Sequence, residues 1–210
     1  MAVHVWRLKR TPFHIDQTEI GMDRMDNHAI IYDKQVIDFM TVAVEFCSLL
    51  EQDIPPARGE WVENMVKLLP LLYLKAWLLP ETVPSFSEEL PAFVKEEDYN
   101  RVAHSVEKVM GEENVYLDVF VEEMRYSDTP VTSYVSEAIA DIYQDVRNLV
   151  SVYQFELTAQ MNDALHVCRE HFFTYWGQKL VNVLRPLHAL KSREWTFADE
   201  DAFNEEVPWD

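Results

Sequence analysis

Apolar residues recur every three or four positions along most of this chain, the spacing that keeps one side of an α-helix dry. In "DKQVIDFMTVAVEFCSLLEQ" (33–52), Val36, Met40, Ala43, Cys47 and Leu50 form such a stripe, and Phe39, Phe46 and Leu49 widen it. A central first helix is expected there, ended by Pro55-Pro56. A second is expected over about residues 59–79, with Trp61, Met65, Leu68, Leu72 and Leu79 on one side. Pro70 lies in its middle, where the missing N–H and the bulky ring favour a kink. The three prolines of "PETVPSFSEELP" (80–91) read as a loop, and a third helix over about 96–110 is stopped by Gly111.

The stretch "VYLDVFVEEMRY" (115–126) carries two periods at once. Val115, Leu117, Val119 and Val121 alternate as in a strand, whereas Tyr116, Phe120 and Met124 recur at helical spacing. A helix is expected, because a lone strand would lack a pairing partner. Asp128 and Thr129 before Pro130 give a helix-start signal. The fourth helix then carries Val131, Val135, Ala138, Ile142, Val146, Leu149 and Tyr153. A turn is placed near Leu157, although "QFELT" holds neither Gly nor Pro, and a long fifth helix runs from near Thr158 to about Leu190. The pattern predicts an all-α, single-domain helical bundle of five to six helices, with a kinked second helix and a long fifth.

Flanking segments lack this order. Residues 1–29 mix Trp6, Pro12, four basic and four acidic residues without periodicity and read as an irregular extension. Met22 and Met25 stand as alternative translation starts beside Met1. The helical domain is taken as 30–190, and 191–210, with seven acids against two bases, as a solvated acidic tail.

Composition agrees with a helical chain: 210 residues, 48% of them apolar, with only four glycines for tight hairpins. The formal net charge of −19 disfavours direct binding to nucleic acid or an anionic membrane, since phosphate contact needs clustered Lys and Arg. Cys47 and Cys168 form no CxxC or zinc-type spacing and are expected to be reduced and buried. No apolar run is long enough for a secretory core or a membrane span, so a cytoplasmic protein is expected.

Candidate chemistry centres on "NDALHVCREHFFTYWGQKLV" (162–181). Leu165, Phe172, Trp176, Val183 and Leu187 define an apolar face, and Asp163, His166 and Glu170 line up on nearly the opposite side. Those three could chelate a cation, but a metal site needs ligands from a second helix, and a solvated face is the expectation. Cys168 points to the apolar side, away from His166, which suits core filling better than nucleophilic catalysis.

Polar groups inside the apolar arcs carry more information. Arg169 stands one heptad from both Asn162 and Trp176, so all three are expected to point inward, and an inward arginine wants a carboxylate. On the fourth helix Glu137, Asp141 and Asp145 recur every four residues and drift toward the apolar edge. A hairpin turning near Leu157 sets Asp145 level with Arg169, and a partly buried bridge between them is expected. Lys75 shares a face with Leu68, Leu72 and Leu79, and either snorkels or pairs with the Asp141–Asp145 row. Lys75, Asp141, Asp145, Asn162, Arg169 and Trp176 are therefore the candidate buried network or pocket floor. Glu137, Asp141 and Asp145 are the candidate metal ligands, and no cofactor is expected.

The strings "DFMTVAVEFCSLLE", "KLLPLLYLKAWLLP", "YLDVFVEEMRYSDTP", "SEAIADIYQDVRNLVSVYQ" and "MNDALHVCREHFFTYWGQKLVNVLRPLH" resemble a bacterial family of helical proteins known as a domain of unknown function, over about residues 30–190. The resemblance implies a compact cytoplasmic helical domain and brings no activity, ligand or catalytic residue with it. The chain has no GxGxxG, P-loop, GxSxG or HExxH motif. A non-catalytic interaction or regulatory module with a protein partner is thus the leading expectation. A metal-dependent hydrolase acting on a nucleotide, using Glu60 and Glu63 or the Glu137–Asp145 row, is the alternative. DNA mimicry, which needs acids in a phosphate-like stripe, is a third.

Overall fold

A computed structural model describes residues 30–86, 88–118 and 131–204, with side chains described through 193. The extension 1–29, with its alternative starts at Met22 and Met25, lies outside the described residues. So do 119–130, which include the Asp128-Thr129-Pro130 signal, and 205–210.

The described chain is an all-α, single-domain bundle. Its helices are α1 (Lys34–Leu50), α2 (Arg58–Trp77), α3 (Glu96–Met110), α4 (Val135–Gln154), α5 (Thr158–His171) and α6 (Gly177–Asn204). A π-helical turn, Phe172–Trp176, joins α5 to α6, so the long fifth helix of the sequence reading is one rod with a widened turn inside it. That rod runs beyond Leu190 to Asn204. Helix α4 packs on α1, α3, α5 and α6, and α6 also lies along α2. Among the described residues no helix is long and apolar enough to cross a membrane.

Local chemistry explains the ends. The Asp33 carboxylate accepts a hydrogen bond from the Gln35 backbone N–H at 2.8 Å and caps α1. Gly111, at φ 56°, closes α3 in a conformation that a Cβ would disfavour. Without any glycine, the α4–α5 turn uses Glu156 at φ 54°. The Leu157 N–H donates to the Val152 carbonyl at 3.0 Å and the Glu156 N–H to the Tyr153 carbonyl at 3.1 Å, the paired bonds of a Schellman cap.

The helix expected over 115–126 does not form at its described start, and 119–126 lie outside the described residues. Val115–Leu117 is strand β1, antiparallel to β2, Thr132–Tyr134, with Tyr116 opposite Ser133. The partner lay hidden in residues read as the start of the fourth helix, which begins at Val135 instead. Alternation was real but inverted, for Val115 and Leu117 are exposed and Tyr116 is half-buried. Asn114 next to the ribbon is buried. Its Oδ1 accepts from the Ser136 N–H at 2.9 Å and caps α4 from a distance.

Trp61, Met65, Leu69, Leu72, Ala76 and Leu79 of the α2 region join α1, α4 and the long rod in a single core. Cys47 and Cys168 are both free and buried in it, as expected. Burial pushes the Cys47 thiol up to about 12 and the Cys168 thiol well above its usual value.

Two glycine exchanges are predicted to act in opposite directions in urea denaturation. Glu156→Gly relieves the left-handed strain and raises stability by up to about 1 kcal/mol. Gly177→Ala drives a Cβ into the Phe172 carbonyl oxygen. It lowers stability by about 1–3 kcal/mol, the usual cost of overpacking.

Candidate functional site

The acid row of α4 meets a matching row on the rod. Asp141 pairs with Lys179 at 2.7 Å and accepts from the Tyr99 hydroxyl at 3.1 Å. Asp145 accepts from His171 Nδ1 at 2.7 Å. His171, Tyr175 and Lys179 are spaced by four, like Glu137, Asp141 and Asp145, and the Lys179 ammonium lies 5.0 Å from the Tyr175 ring centre. Burial raises the Asp145 carboxyl pKa, although the His171 hydrogen bond pulls the other way.

The expected Asp145–Arg169 bridge does not form. Level across the hairpin does not fix face, and His171 rather than Arg169 emerges on the side that Asp145 occupies. Lys75 does not reach the α4 acids either, because it pairs across to Asp38 on α1 at 2.8 Å, partly exposed. The six-residue network therefore resolves into separate contacts. Trp176 alone sits fully inside, its Nε1 donating to the Cys168 carbonyl at 3.1 Å across the π-turn. Glu137 is exposed, and among the described residues no three acidic, His or Cys side chains gather as a metal group. Of the other carboxylate pair, Glu63 is taken by Lys67 and Lys191.

Asn162 and Arg169 share a different task, together with Asp163 and His166. They hold the loop that follows α2 against α5. Arg169 Nε donates to the Leu79 carbonyl at 3.2 Å, and Asn162 Nδ2 donates to the Val83 carbonyl at 2.8 Å. The His166 ring N–H reaches the Thr82 carbonyl at 3.1 Å. Asp163 is only 1% exposed. Its carboxylate accepts from the Ser85 and Phe86 backbone N–H groups, each at 2.7 Å, and from the Ser85 hydroxyl at 3.2 Å. The solvated face expected for Asp163, His166 and Glu170 is thus corrected: the loop folds across it, and only Glu170 remains mostly exposed. Among the described residues no chelating set results, since Asp163 is engaged by loop amides and His166 by a loop carbonyl.

This anchoring has a visible cost. Phe86 is held at φ 44°, a left-handed conformation that bulky residues avoid, with the residue 59% exposed. The Thr82 hydroxyl and Asn162 Oδ1 are buried without a hydrogen-bond partner among the described residues. Beside the loop stand Leu74, Trp77 and Leu78 of the α2 end, with Trp77 55% exposed, and Phe173 of the π-turn, 47% exposed. Trp77 and Phe173 meet edge to face at 5.2 Å, and the Arg169 guanidinium lies 5.0 Å from the Phe173 ring centre. The result is a set of exposed aromatic and leucine side chains, with Glu81 and Glu170 exposed near it. Sequence reasoning missed Trp77, Phe86 and Phe173. The signal was in "LLPLLYLKAWLL", which is apolar all round, whereas a surface helix needs one dry side only.

The chain belongs to the family defined by a domain of unknown function (DUF5063), whose model matches residues 30–193. It is similar to protein BF1032 from Bacteroides fragilis, whose crystal structure superposes with a TM-score of 0.69 at 40% sequence identity, over 77% of this chain and 95% of that one. No match is found among curated proteins.

Two outcomes test the site's physics. Asp163→Ala strips the loop of its acceptor, lowers stability by about 2 kcal/mol, and speeds amide exchange at Ser85 and Phe86 more than in α4. For Asp145 the folded carboxyl has the higher pKa, so the native state binds the proton more readily than the unfolded chain. Its contribution is then fully present below the unfolded carboxylate range and is lost as pH rises through the folded value. Urea denaturation should show wild type gaining stability relative to Asp145→Asn on acidification, and a constant difference would contradict the assignment.

Proposed function

We propose that this domain is a non-catalytic cytoplasmic interaction or regulatory module. Its docking face comprises Leu74, Trp77, Leu78, Phe86 and Phe173. The partner is a protein segment with an aliphatic or aromatic anchor flanked by basic residues. The observation that carries the reading is the display of Phe86: the buried Asp163 carboxylate holds a strained backbone that leaves Phe86 largely in solvent, at the cost of two buried polar groups that lack a partner among the described residues. Trp77 and Phe173 supply rigid aromatic area of the kind that dominates binding energy. The net charge of −19, with Glu81 and Glu170 beside the face, favours a basic partner over a second copy of the same acidic chain.

The test compares full-length protein with a Trp77→Ser, Phe173→Ser variant as bait in a native extract. A binder identified by mass spectrometry is then purified and titrated against both. The reading expects a binder rich in Lys and Arg, whose Kd weakens with salt and rises at least about tenfold in the variant. It is overturned if every captured protein binds both baits equally, or if sedimentation shows self-association through this face instead.

A further inference from the structure

A second surface, built by other residues, carries chemistry that the docking face does not use. A cleft of about 500 Å³ lies where the end of α1 meets α3, α4 and the segment before α3. On its floor Glu51 Oε1 accepts from Arg147 Nε at 2.6 Å and from the Tyr143 hydroxyl at 2.8 Å. Arg147 Nη1 is occupied by Ser151 and Gln154. That leaves Glu51 Oε2 and Arg147 Nη2 without a hydrogen bond among the described residues, in a pair less than one-third exposed on the guanidinium side.

The walls repeat this duality. Among the described residues the ion pair of Arg101 is with Asp98, at a long 3.5 Å, and Asp53 makes none. Phe93 and Phe155 stack at 5.2 Å and give the cleft an apolar flank, with the Phe155 ring mostly in solvent. Phe93 is fixed in turn through its backbone N–H, which donates to Asn148 Oδ1 at 2.9 Å.

These groups sort the ligands by charge. A simple anion would meet three carboxylates, those of Glu51, Asp53 and Asp98, against two guanidiniums. A simple cation would face Arg101 and Arg147. A neutral apolar molecule would strip water from charges it could not satisfy. A molecule carrying both an ammonium and a carboxylate can answer both sets at once, with an apolar group against the phenylalanines. From this arrangement we infer that the cleft binds a small zwitterion of the amino-acid class with an apolar side chain. The carboxylate is taken by Arg147 Nη2 and Arg101, and the ammonium by Asp53 and the open oxygen of Glu51. The volume suits a single residue of that kind.

The probe is free L-phenylalanine, titrated into full-length protein by calorimetry and by NMR of the Phe93, Arg101 and Phe155 amides. 3-Phenylpropionate and phenethylamine serve as half-ligands. Expected are saturable shifts in the millimolar range or below, with both half-ligands at least about tenfold weaker. Arg101→Gln and Asp53→Asn, both exposed and outside the core, weaken binding by a similar factor while the unfolding midpoint stays unchanged. Equal binding of either half-ligand overturns the inference, as do unchanged affinities in both variants or no shift at millimolar probe. None of these outcomes depends on Trp77 or Phe173, so failure here leaves the docking reading intact.

Discussion

The π-turn at Phe172–Trp176 is the constraint on which the arrangement of the long rod depends. Cys168, Phe172, Trp176 and Leu180 are all buried and follow each other in steps of four. In a straight α-helix, at about 100° per residue, three such steps rotate the buried line by roughly 120° and carry it out of the core. A widened turn absorbs that drift and keeps the rod facing α4 and then α2. Gly177 makes the wide turn feasible, because its missing side chain leaves room for the Phe172 carbonyl. The same turn sets His171, Tyr175 and Lys179 against the α4 acids and pushes Phe173 outward.

Electrostatics in the bundle are distributed rather than pooled. Each partly buried acid of α4 has its own partner from the rod, which spares the protein a cluster of unpaired charge in a low-dielectric region. Polar residues of α5 spend their hydrogen bonds on backbone groups of the 80s loop, where an irregular chain has no ladder of its own to satisfy them. That loop and the α2 end carry large apolar side chains that remain exposed, among them Trp77 and Phe86.

Helical periodicity made most of the architecture legible. The stripes of Val36 to Leu50 and of Val135 to Tyr153 depend on spacing alone, and Gly111 marked the α3 end because only a residue without a Cβ closes a helix there cheaply. Pairing is a nonlocal property, which is why the three-residue ribbon escaped notice: strand β1 is defined by Thr132–Tyr134, not by its own residues. The candidate site was partly legible. Asn162 and Arg169 drew notice as polar groups near an apolar arc, yet they turn to the loop after α2, and their partners are main-chain carbonyls, which every sequence position offers equally. Asp163 was misread for the same reason, since nothing in the α5 pattern announces that a proline-rich loop will cover its wet side. The four-residue steps through Trp176 did encode the π-turn, but a fixed angle per residue averaged them away.

Burial of Cys47 and Cys168 gives the molecule an internal clock. Neither sulfur can ionise readily or meet a bulky electrophile while the helices stay packed. Alkylation of the native chain therefore counts transient openings of the bundle, and because the two thiols sit on α1 and α5, their separate rates report whether those helices part together or one at a time.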